Sequence, residues 1–271
     1  MGIGLAVARR MASLGADISI FARRQEPLVQ AAAEIERDLK RAAQRVSYWQ
    51  LDVADQAQVA NVMQAAVAKA GVPDVLVNCA GRAYPDYFEN ISYEQFADTM
   101  RVNVHGCWNT VSALVPRMKE KGGYIVNTSS VAGLLGVFGY TDYCASKFAL
   151  VGFSEALRSE LRRYGIVVSV LCPPDTLTPG LEKENETKPK ETRAVAEGAK
   201  IMSTEDVAGA LIAGMSKESF IIIPGVDGRF AILAKRLFPG LLEKLIDRRI
   251  RRAAGVPPAR TRGTQRGERG L

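Results

Sequence analysis

Histidine is almost absent from this chain, since His105 is the only one among 271 residues. This scarcity nearly excludes a catalytic triad or a zinc site built on histidine. The chain has four cysteines that are scattered without the paired spacing of a metal site, and three of them end or follow apolar runs. We therefore expect buried free thiols in a reducing cytoplasm and no bound metal. The cysteines are Cys79, Cys107, Cys144 and Cys172.

Long apolar runs are also missing: no run reaches the roughly 18 apolar residues that a membrane-spanning helix needs. The first six residues lack the basic region and cleavage site of a signal peptide, so none is expected. A hydrophobic fraction of 47% and a charged fraction of 24% are typical of a globular protein. At 271 residues, the sequence indicates one α/β domain in the cytoplasm.

The positive charge of the chain is unevenly distributed. The formal net charge is +7, and much of it comes from residues 248–252 and from the arginines after Gly255. No recognised nucleic-acid-binding motif accompanies this charge, and the tail has no aromatic residues. We therefore expect no nucleic acid as a partner, and a membrane surface fits the basic region better.

Short β-branched runs alternate with segments of helical periodicity. Two runs, 75–77 and 166–171, are almost continuously apolar, as in parallel strands buried on both faces of a sheet. The alternation predicts a single α/β domain with a Rossmann-type, doubly wound parallel sheet. The predicted strands are 17–21, 46–51, 75–78, 124–128, 167–171 and 220–223. The predicted helices include 5–14, 28–39, 59–70, 93–118 and 145–162, with Ser203 as the cap of one more.

Tyr143 and Lys147 are the strongest indication of chemistry. They stand four residues apart, on one face of a predicted helix. A tyrosine suits the protonation of a ketone oxygen only if its high pKa is lowered towards neutrality, and a nearby lysine charge favours the phenolate. Ser130, at the end of an apolar run, can donate a hydrogen bond to the same oxygen. The arrangement suggests hydride transfer to a carbonyl, although the Tyr-x-x-x-Lys spacing alone is weak evidence.

Residues after the first two predicted strands indicate a dinucleotide site, because ligands of such sheets bind beyond the carboxyl ends of the strands. Arg23 and Arg24 stand where an NAD-binding protein carries an acidic residue, so they favour the extra phosphate of NADP. The alternative is an exposed basic helix start. Asp52 and Val53 are candidates for binding the adenine amino group, with helix capping by Asp52 or Asp55 as the alternative.

Small residues follow the third predicted strand in the segment Asn78-Cys79-Ala80-Gly81. They let the backbone approach a bound dinucleotide, and Gly81 permits a turn. With the motifs at 103–106, 130 and 143–147, this segment makes the chain resemble the classical short-chain dehydrogenase/reductases from its first residue to about residue 223. In that family Asn-Ala-Gly supports the sheet and the cofactor, which here implies Asn78, Ala80 and Gly81.

The resemblance implies a role for each residue of a catalytic tetrad. Tyr143 is the acid, and Lys147 lowers its pKa and holds the nicotinamide ribose. Ser130 orients the substrate carbonyl, while Asn103 positions a water that relays protons to Lys147. The implied cofactor is NADPH or NADP.

A more specific resemblance lies further along the chain. The segments 173–180 and 184–193 resemble the 3-ketodihydrosphingosine reductases, whereas most of the superfamily has Pro-Gly where this chain has Pro173-Pro174. This implies cofactor contacts for Pro173, Thr176 and Thr178, with Thr178 at the nicotinamide carboxamide. Residues 181–200 are too long and polar for a tight turn and are predicted to form a substrate lid. The alternative is a solvated, partly disordered insertion.

The chain departs from the family at its start. A classical member begins with a strand and Thr-Gly-x-x-x-Gly-Ile-Gly, whose glycines approach the pyrophosphate, and here only Gly2-Ile3-Gly4 is present. The lack of the first strand is expected to expose neighbouring strand edges. A start codon placed too late is the favoured explanation, ahead of a truncation or a defective paralogue. If the chain is the whole molecule, we expect weak cofactor binding.

Residues 229–252 form a basic amphipathic segment after the reductase domain predicted for 1–228. Apolar residues recur there at helical spacing with lysines and arginines between them, which is typical of a helix in a bilayer interface. Packing on the core or on a neighbouring subunit is the alternative. Pro239-Gly240 is expected to break the helix, and residues 253–271 are expected to be a disordered tail.

Three functions remain open. The first, implied by the resemblance, is NADPH-dependent reduction of a long-chain 3-keto sphingoid base at the membrane surface. The second is the same chemistry on another lipophilic carbonyl, such as a steroid, retinoid or fatty ketone, which the apolar loop 134–138 also suits. The third is a catalytically silent NADP-binding scaffold. The resemblance further implies a homodimer or homotetramer through helices 93–118 and 142–163, and it leaves open whether Glu182 or Glu184 reads the substrate amino group.

Overall fold

Strands and helices alternate along residues 2–256, the part of the chain that the computed structural model describes. The strands are β1 (Ile18–Ala22), β2 (Val46–Gln50), β3 (Val75–Asn78), β4 (Gly123–Thr128), β5 (Ile166–Leu171) and β6 (Ile221–Ile222). The helices are α1 (Gly2–Ser13), α2 (Gln25–Glu36), α3 (Gln56–Ala70), α4 (Tyr93–Met100), α5 (Gly106–Met118), α6 (Thr141–Leu161), α7 (Pro179–Thr187), α8 (Lys190–Ala196), α9 (Thr204–Met215), α10 (Val226–Leu237) and α11 (Pro239–Ala254).

The strands are parallel and form two sheets. The larger sheet has the order β3-β4-β5-β6, and the smaller one pairs β1 with β2. The predicted parallel α/β fold is thereby confirmed. Within residues 2–256 no strand joins β1 to β3, so each of these two strands is paired along one edge only.

β3 is less buried than its sequence predicts. All four of its residues are half-buried, whereas most residues of β4 and β5 are fully buried. The apolar run 75–77 predicts a strand covered on both faces, and this expectation is wrong for β3. The reason is that only β4 flanks it among the described strands, so the cover over its other side is incomplete.

Helices pack on both faces of the larger sheet. Ile125 of β4 belongs to a cluster with Val111 of α5 and Leu150 of α6. The next residue, Val126, points to the opposite face and packs in a cluster with Leu211 of α9. Consecutive residues of one strand therefore anchor helices on opposite sides, as a doubly wound sheet requires.

The predicted helix 93–118 is divided in two. A short π-helical segment, Arg101–His105, separates α4 from α5. Such a segment has one extra residue per turn and is frequent at functional sites. It contains Asn103, whose side chain is 1% exposed.

Two helices end the described chain. α10 begins at Val226, so the predicted boundary at residue 228 falls in its first turn, and Pro239 begins α11, which confirms the predicted break. α11 continues to Ala254, two residues past the predicted end of the amphipathic segment. Residues 257–271 of the predicted tail lie outside the described residues. No helix within residues 2–256 combines the length and the hydropathy that crossing a bilayer requires.

The four cysteines form no disulfide. Cys107, Cys144 and Cys172 are buried, as expected, while Cys79 is half-buried. In the described part of the chain, His, Cys, Asp and Glu side chains form no group of three or more suited to holding a metal ion.

Candidate active site

The start of α6 is anchored before the helix presents its functional residues. The carboxylate of Asp142 is buried, and it accepts hydrogen bonds from the Thr99 hydroxyl (2.8 Å) and from the Tyr143 backbone N–H (2.7 Å). An acid in the first turn also suits the positive end of the helix dipole. One turn later, the Ser129 hydroxyl donates to the Lys147 carbonyl at 2.8 Å. Tyr143 and Lys147 are thus held on the face of α6 that meets the end of β4.

Lys147 is almost completely buried, with 3% of its surface exposed. Its Nζ donates a hydrogen bond of 2.9 Å to the carbonyl of Thr128, the last residue of β4. Burial lowers the pKa of Lys147 to about 8, because the ammonium has lost most of its hydration. The amine lies 5.4 Å from the centre of the Tyr143 ring.

Asn103 joins this group from the π-helical segment. Its Nδ2 donates to the Ser146 hydroxyl (2.9 Å) and to the Arg82 carbonyl (3.0 Å), and its Oδ1 accepts from the Arg82 backbone N–H (2.9 Å). The Ser146 hydroxyl in turn donates to the Tyr143 carbonyl at 2.7 Å. The predicted asparagine is therefore connected to α6 through a serine that lies between Tyr143 and Lys147 in sequence.

The pKa of Tyr143 is raised, whereas the sequence predicts that it is lowered. Burial is the main cause and the charge of Glu184 adds to it, while a hydrogen bond with Ser130 acts in the opposite direction. In this structure the Lys147 amine is directed to the Thr128 carbonyl, and burial outweighs any lowering of the Tyr143 pKa. The effect of Lys147 on Tyr143 stays a prediction. A tyrosine with a raised pKa stays protonated, which is the form that a general acid needs.

Ser130 lies near Tyr143 and lowers the pKa of its phenol, and its Oγ donates to the Pro173 carbonyl at 3.4 Å. Its Oγ also accepts from the Ala132 backbone N–H at 3.1 Å and caps the short 3₁₀ turn Val131–Gly133. The structure therefore brings Ser130, Tyr143, Lys147 and Asn103 into one site, as the resemblance implies.

Glycines border this site where an added side chain would contact the site residues. A Cβ on Gly81 would lie 3.4 Å from Lys147 Nζ and 3.5 Å from Asn103 Oδ1. A Cβ on Gly4 would lie 3.2 Å from Cys79 Cβ. Gly2 has a φ of +68°, in the left-handed region that favours glycine. These positions, with Ile3 between two of them, form a surface of bare backbone at the start of α1 and after β3.

A narrow pocket continues from the tetrad along the ends of the strands. It is lined by Val53, Asn78, Ala80, Asn103 and Thr128, among others. Four of these five residues are predicted site residues. The side chain of Asn78 faces the interior, where it donates to Asn127 (2.9 Å) and accepts from the Thr110 hydroxyl (2.7 Å). This geometry suits the sheet-supporting role that the resemblance implies for Asn78.

The two basic residues after β1 are exposed. Arg24 occupies the N-cap position of α2 without a side-chain capping bond, and the carbonyl of Arg23 accepts from Gln50 at 2.9 Å. The ion pairs found within residues 2–256 include neither arginine. Asp55, not Asp52, caps α3, while Asp52 accepts from the Ala54 backbone N–H at 3.0 Å. Capping by Asp55 leaves an adenine contact of Asp52 and Val53 a prediction.

The segment after β5 leads into α7. The carbonyl of Pro173 accepts from the Val131 backbone N–H (3.0 Å), and the Thr176 hydroxyl donates to the Pro174 carbonyl (2.8 Å). Thr178 caps α7 by accepting from the Leu181 N–H at 3.1 Å. A Cβ on Gly2 would lie 3.4 Å from the Thr178 methyl carbon. Thr178 therefore lies next to the bare backbone at the start of α1. The cofactor contacts of these three predicted residues remain predictions.

The polar segment 181–200 is largely helical. α7 and α8 cover it up to Ala196, so the alternative of a partly disordered insertion is wrong for most of its length. The Tyr140 hydroxyl donates to Glu184 on α7 at 2.8 Å, and the Tyr87 hydroxyl donates to Glu191 on α8 at 2.9 Å. The Thr192 hydroxyl donates to the Phe138 carbonyl at 2.8 Å. We call these two helices the lid. Their side chains contact Tyr87, Phe138 and Tyr140, which all precede Tyr143 in sequence.

Sequence reasoning missed three residues that build the site. Asp142 and Ser146 flank Tyr143 and Lys147, and Tyr140 lies with its ring 5.6 Å from that of Tyr143. The sequence contains a signal for Asp142, because an acidic residue commonly occupies the first turn of a helix. Ser146 and Tyr140 carried none, because their roles depend on Asn103 and Glu184, which are distant in sequence.

The family model described as short chain dehydrogenase matches residues 1–189. The chain belongs to the short-chain dehydrogenase family and is an oxidoreductase. It is 41% identical over 229 residues to the 3-ketodihydrosphingosine reductase of Bos taurus and to the 3-dehydrosphinganine reductase of Danio rerio. Each alignment covers 84% of this chain and 69% of the relative. A gluconate 5-dehydrogenase from Burkholderia cenocepacia, solved in complex with NADP and tartrate, superposes with a TM-score of 0.73 at 26% identity, covering 84% of this chain and 90% of that chain.

Proposed function

We propose that this chain uses NADPH to reduce the ketone of a long-chain 3-keto sphingoid base. The observation that carries the proposal is the meeting of Tyr143, Ser130 and Lys147 beneath the lid. The Bos taurus and Danio rerio relatives, named as reductases of this ketone, support the choice of substrate.

The chain supplies the proton and the positioning. Ser130 and Tyr143 both hydrogen-bond the substrate oxygen, and Tyr143 gives its proton to that oxygen as the alkoxide develops. Lys147 stabilises the resulting phenolate by its charge and returns a proton to it. Asn103, held by Ser146, keeps the opening beside Lys147 in a fixed shape. When bound, NADPH supplies the hydride that reaches the ketone carbon.

The residues around the site fit this cofactor. Gly2, Gly4 and Gly81 leave backbone uncovered where a dinucleotide must come close. Arg23 and Arg24 are exposed and outside the ion pairs of the described residues, so their charges are available to a ribose phosphate. The remaining cofactor contacts are assigned to Ile3, Asp52, Val53, Asn78, Ala80, Pro173, Thr176 and Thr178.

The same proposal places residues 229–252 on a bilayer surface. Apolar side chains of α10 and α11 are more than half exposed, and exposed Arg236, Lys244 and Arg248 lie among them. Lys235 donates to the Leu134 carbonyl (2.7 Å), and Arg249 donates to the Val195 carbonyl of the lid (3.0 Å). An anionic lipid surface complements both the charge and the apolar area. The exposed apolar residues are Val226, Phe230, Leu233, Leu237, Phe238, Leu241 and Leu245.

The test is NADPH oxidation with 3-ketodihydrosphingosine in mixed micelles, after a fluorescence titration has established NADPH saturation. Tyr143→Phe is expected to lower turnover by about 10²–10⁴-fold with NADPH binding retained. Tyr93→Phe, at a residue that is 78% exposed, is the matched control. Turnover of only another lipophilic ketone would move the substrate assignment, and unchanged turnover in Tyr143→Phe would refute the mechanism.

A further inference from the structure

Glu184 is a half-buried carboxylate near the catalytic tyrosine, and it forms no ion pair within residues 2–256. It lies on α7 of the lid, accepts a hydrogen bond of 2.8 Å from Tyr140, and acts on Tyr143 through its charge. Burial raises the pKa of Glu184 because its charged form has lost hydration.

The nearest lysine of the lid is used elsewhere. Lys188 lies one turn after Glu184, is almost completely buried, and pairs with Asp175 at 3.4 Å. The ion pairs of residues 2–256 do not include Glu184. The charges of Lys188 and Lys147 lower the pKa of Glu184 but do not outweigh its burial. A partly buried carboxylate without a direct ion pair is costly, so the site favours a ligand that brings a positive charge into contact with it.

Resting on the proposed function, we infer that Glu184 binds the ammonium group on the carbon next to the substrate ketone and selects for α-amino ketones. A ketone oxygen held by Tyr143 places its neighbouring carbon beside Tyr140 and Glu184, because the two tyrosine rings lie 5.6 Å apart. The α-ammonium group then supplies the charge that Glu184 lacks. Glu182 lies on the same helix but is exposed, and its side chain makes no hydrogen bond among the described residues. We therefore assign binding of the ammonium group to Glu184 and not to Glu182.

The ammonium group of the substrate also promotes reduction of the neighbouring ketone. The negative charge of Glu184 opposes loss of the Tyr143 proton, since it raises the pKa of that phenol. An ammonium group on Glu184 offsets this charge and makes Tyr143 a stronger acid. A ketone without the amino group leaves Glu184 uncompensated and gains no such help.

The test compares two ketones with the full chain at saturating NADPH: 3-ketodihydrosphingosine and the 1-hydroxy-3-ketone of equal chain length without the amino group. Glu184→Gln is expected to lower kcat/KM for the amino ketone by about tenfold to a hundredfold. It should leave kcat/KM for the amine-free ketone unchanged or higher. Glu186→Gln, at an exposed residue of the same helix, is the control and should keep the wild-type preference.

A second variant separates recognition from closure of the lid. Tyr140→Phe removes the hydrogen bond to Glu184 but keeps the carboxylate, so its preference for the amino ketone should persist. If both Glu184→Gln and Tyr140→Phe lower kcat/KM equally for the two ketones, the hydrogen bond between Tyr140 and Glu184 serves to hold the lid closed. That result would overturn the inference. Wild-type protein that reduces both ketones equally well also overturns it while the proposed function stands. Reduction of neither ketone would remove the proposed function, and this inference with it.

Discussion

The side-chain amide of Asn103 donates a hydrogen bond of 2.9 Å to the hydroxyl of Ser146. Both residues are buried, and the serine passes the connection on to the backbone carbonyl of Tyr143. The π-helical segment that holds Asn103 is thus coupled to the helix that holds the acid. The Arg82 backbone holds the same amide through two hydrogen bonds, and the Ser146 hydroxyl connects it to α6, which makes Ser146 a positioning residue.

Ser146→Ala is expected to lower kcat without changing the KM for the ketone. The variant removes two hydrogen bonds, one from Asn103 and one to the Tyr143 carbonyl. Loss of the bond that positions Asn103, worth about 1 kcal/mol net, corresponds to roughly fivefold in rate. Steady-state kinetics at saturating NADPH measures the split between kcat and KM. Ser159→Ala removes a hydroxyl that bonds a carbonyl on the exposed part of the same helix and is the matched control. Equal kcat values for the two variants would show that Ser146 has no positioning role.

The elements of this fold were predictable because their signals are local. Each predicted strand matches an observed one to within one or two residues at each end, since β-branched runs bounded by polar turns favour extended backbone. The spacing of Tyr143 and Lys147 likewise predicts a shared helix face. Ser203 caps α9 through its hydroxyl, as its position before two acids predicts.

The features that sequence did not predict depend on contacts between distant segments. The raised pKa of Tyr143 follows from burial and from Glu184, which is 41 residues away in sequence. The half-exposure of β3 follows from which strands flank it, and its own residues carry no sign of this. The break of the helix 93–118 at Asn103 has only Gly106 as a local signal, and one glycine inside a helical pattern does not by itself mark a break.

The buried amine of Lys147 is expected to make stability depend on pH. Its folded pKa is about 8 against about 10.4 in an unfolded chain, so between these values only the unfolded chain holds the proton. Stability contributed by this group therefore rises as pH increases from 8 to 10, and the burial cost of about 3 kcal/mol is fully present at pH 7. Lys147→Met should exceed the wild type in urea midpoint more at pH 7 than at pH 9.5.

The control for this comparison is Lys217→Met, which changes an exposed lysine. Its difference from the wild type should be the same at both pH values. A pH-independent difference for Lys147→Met as well would mean that the folded protein keeps this ammonium charged across the range.

The homodimer or homotetramer that the resemblance implies, paired through the helices 93–118 and 142–163, would cover Trp108. It lies on α5, is 55% exposed, and packs against Phe153 of α6 with ring centres 5.6 Å apart. Pairing through these helices would remove a large aromatic surface from water. Trp108→Lys is expected to convert a dimer or tetramer into smaller species, measured by light scattering after size-exclusion chromatography. Tyr48→Lys, on β2 and 47% exposed, should keep the wild-type mass. An unchanged mass for Trp108→Lys would place the subunit contact elsewhere.

The exposed apolar surface of α10 and α11 is expected to bind anionic vesicles. Leu237 and Leu241 are each more than half exposed, and burying such a side chain in a bilayer interface contributes about 1.5–3 kcal/mol. The double variant Leu237→Glu/Leu241→Glu should lower vesicle partitioning at least about tenfold, while Leu14→Glu, which adds a charge at an exposed leucine after α1, should have little effect. Co-sedimentation with phosphatidylserine-containing and with neutral vesicles measures the contribution of charge and the contribution of apolar area to partitioning. Because Arg249 connects α11 to the lid, the double variant should also raise the KM for micellar ketone and leave the NADPH affinity unchanged. Wild-type partitioning by the double variant would show that this surface does not bind the bilayer.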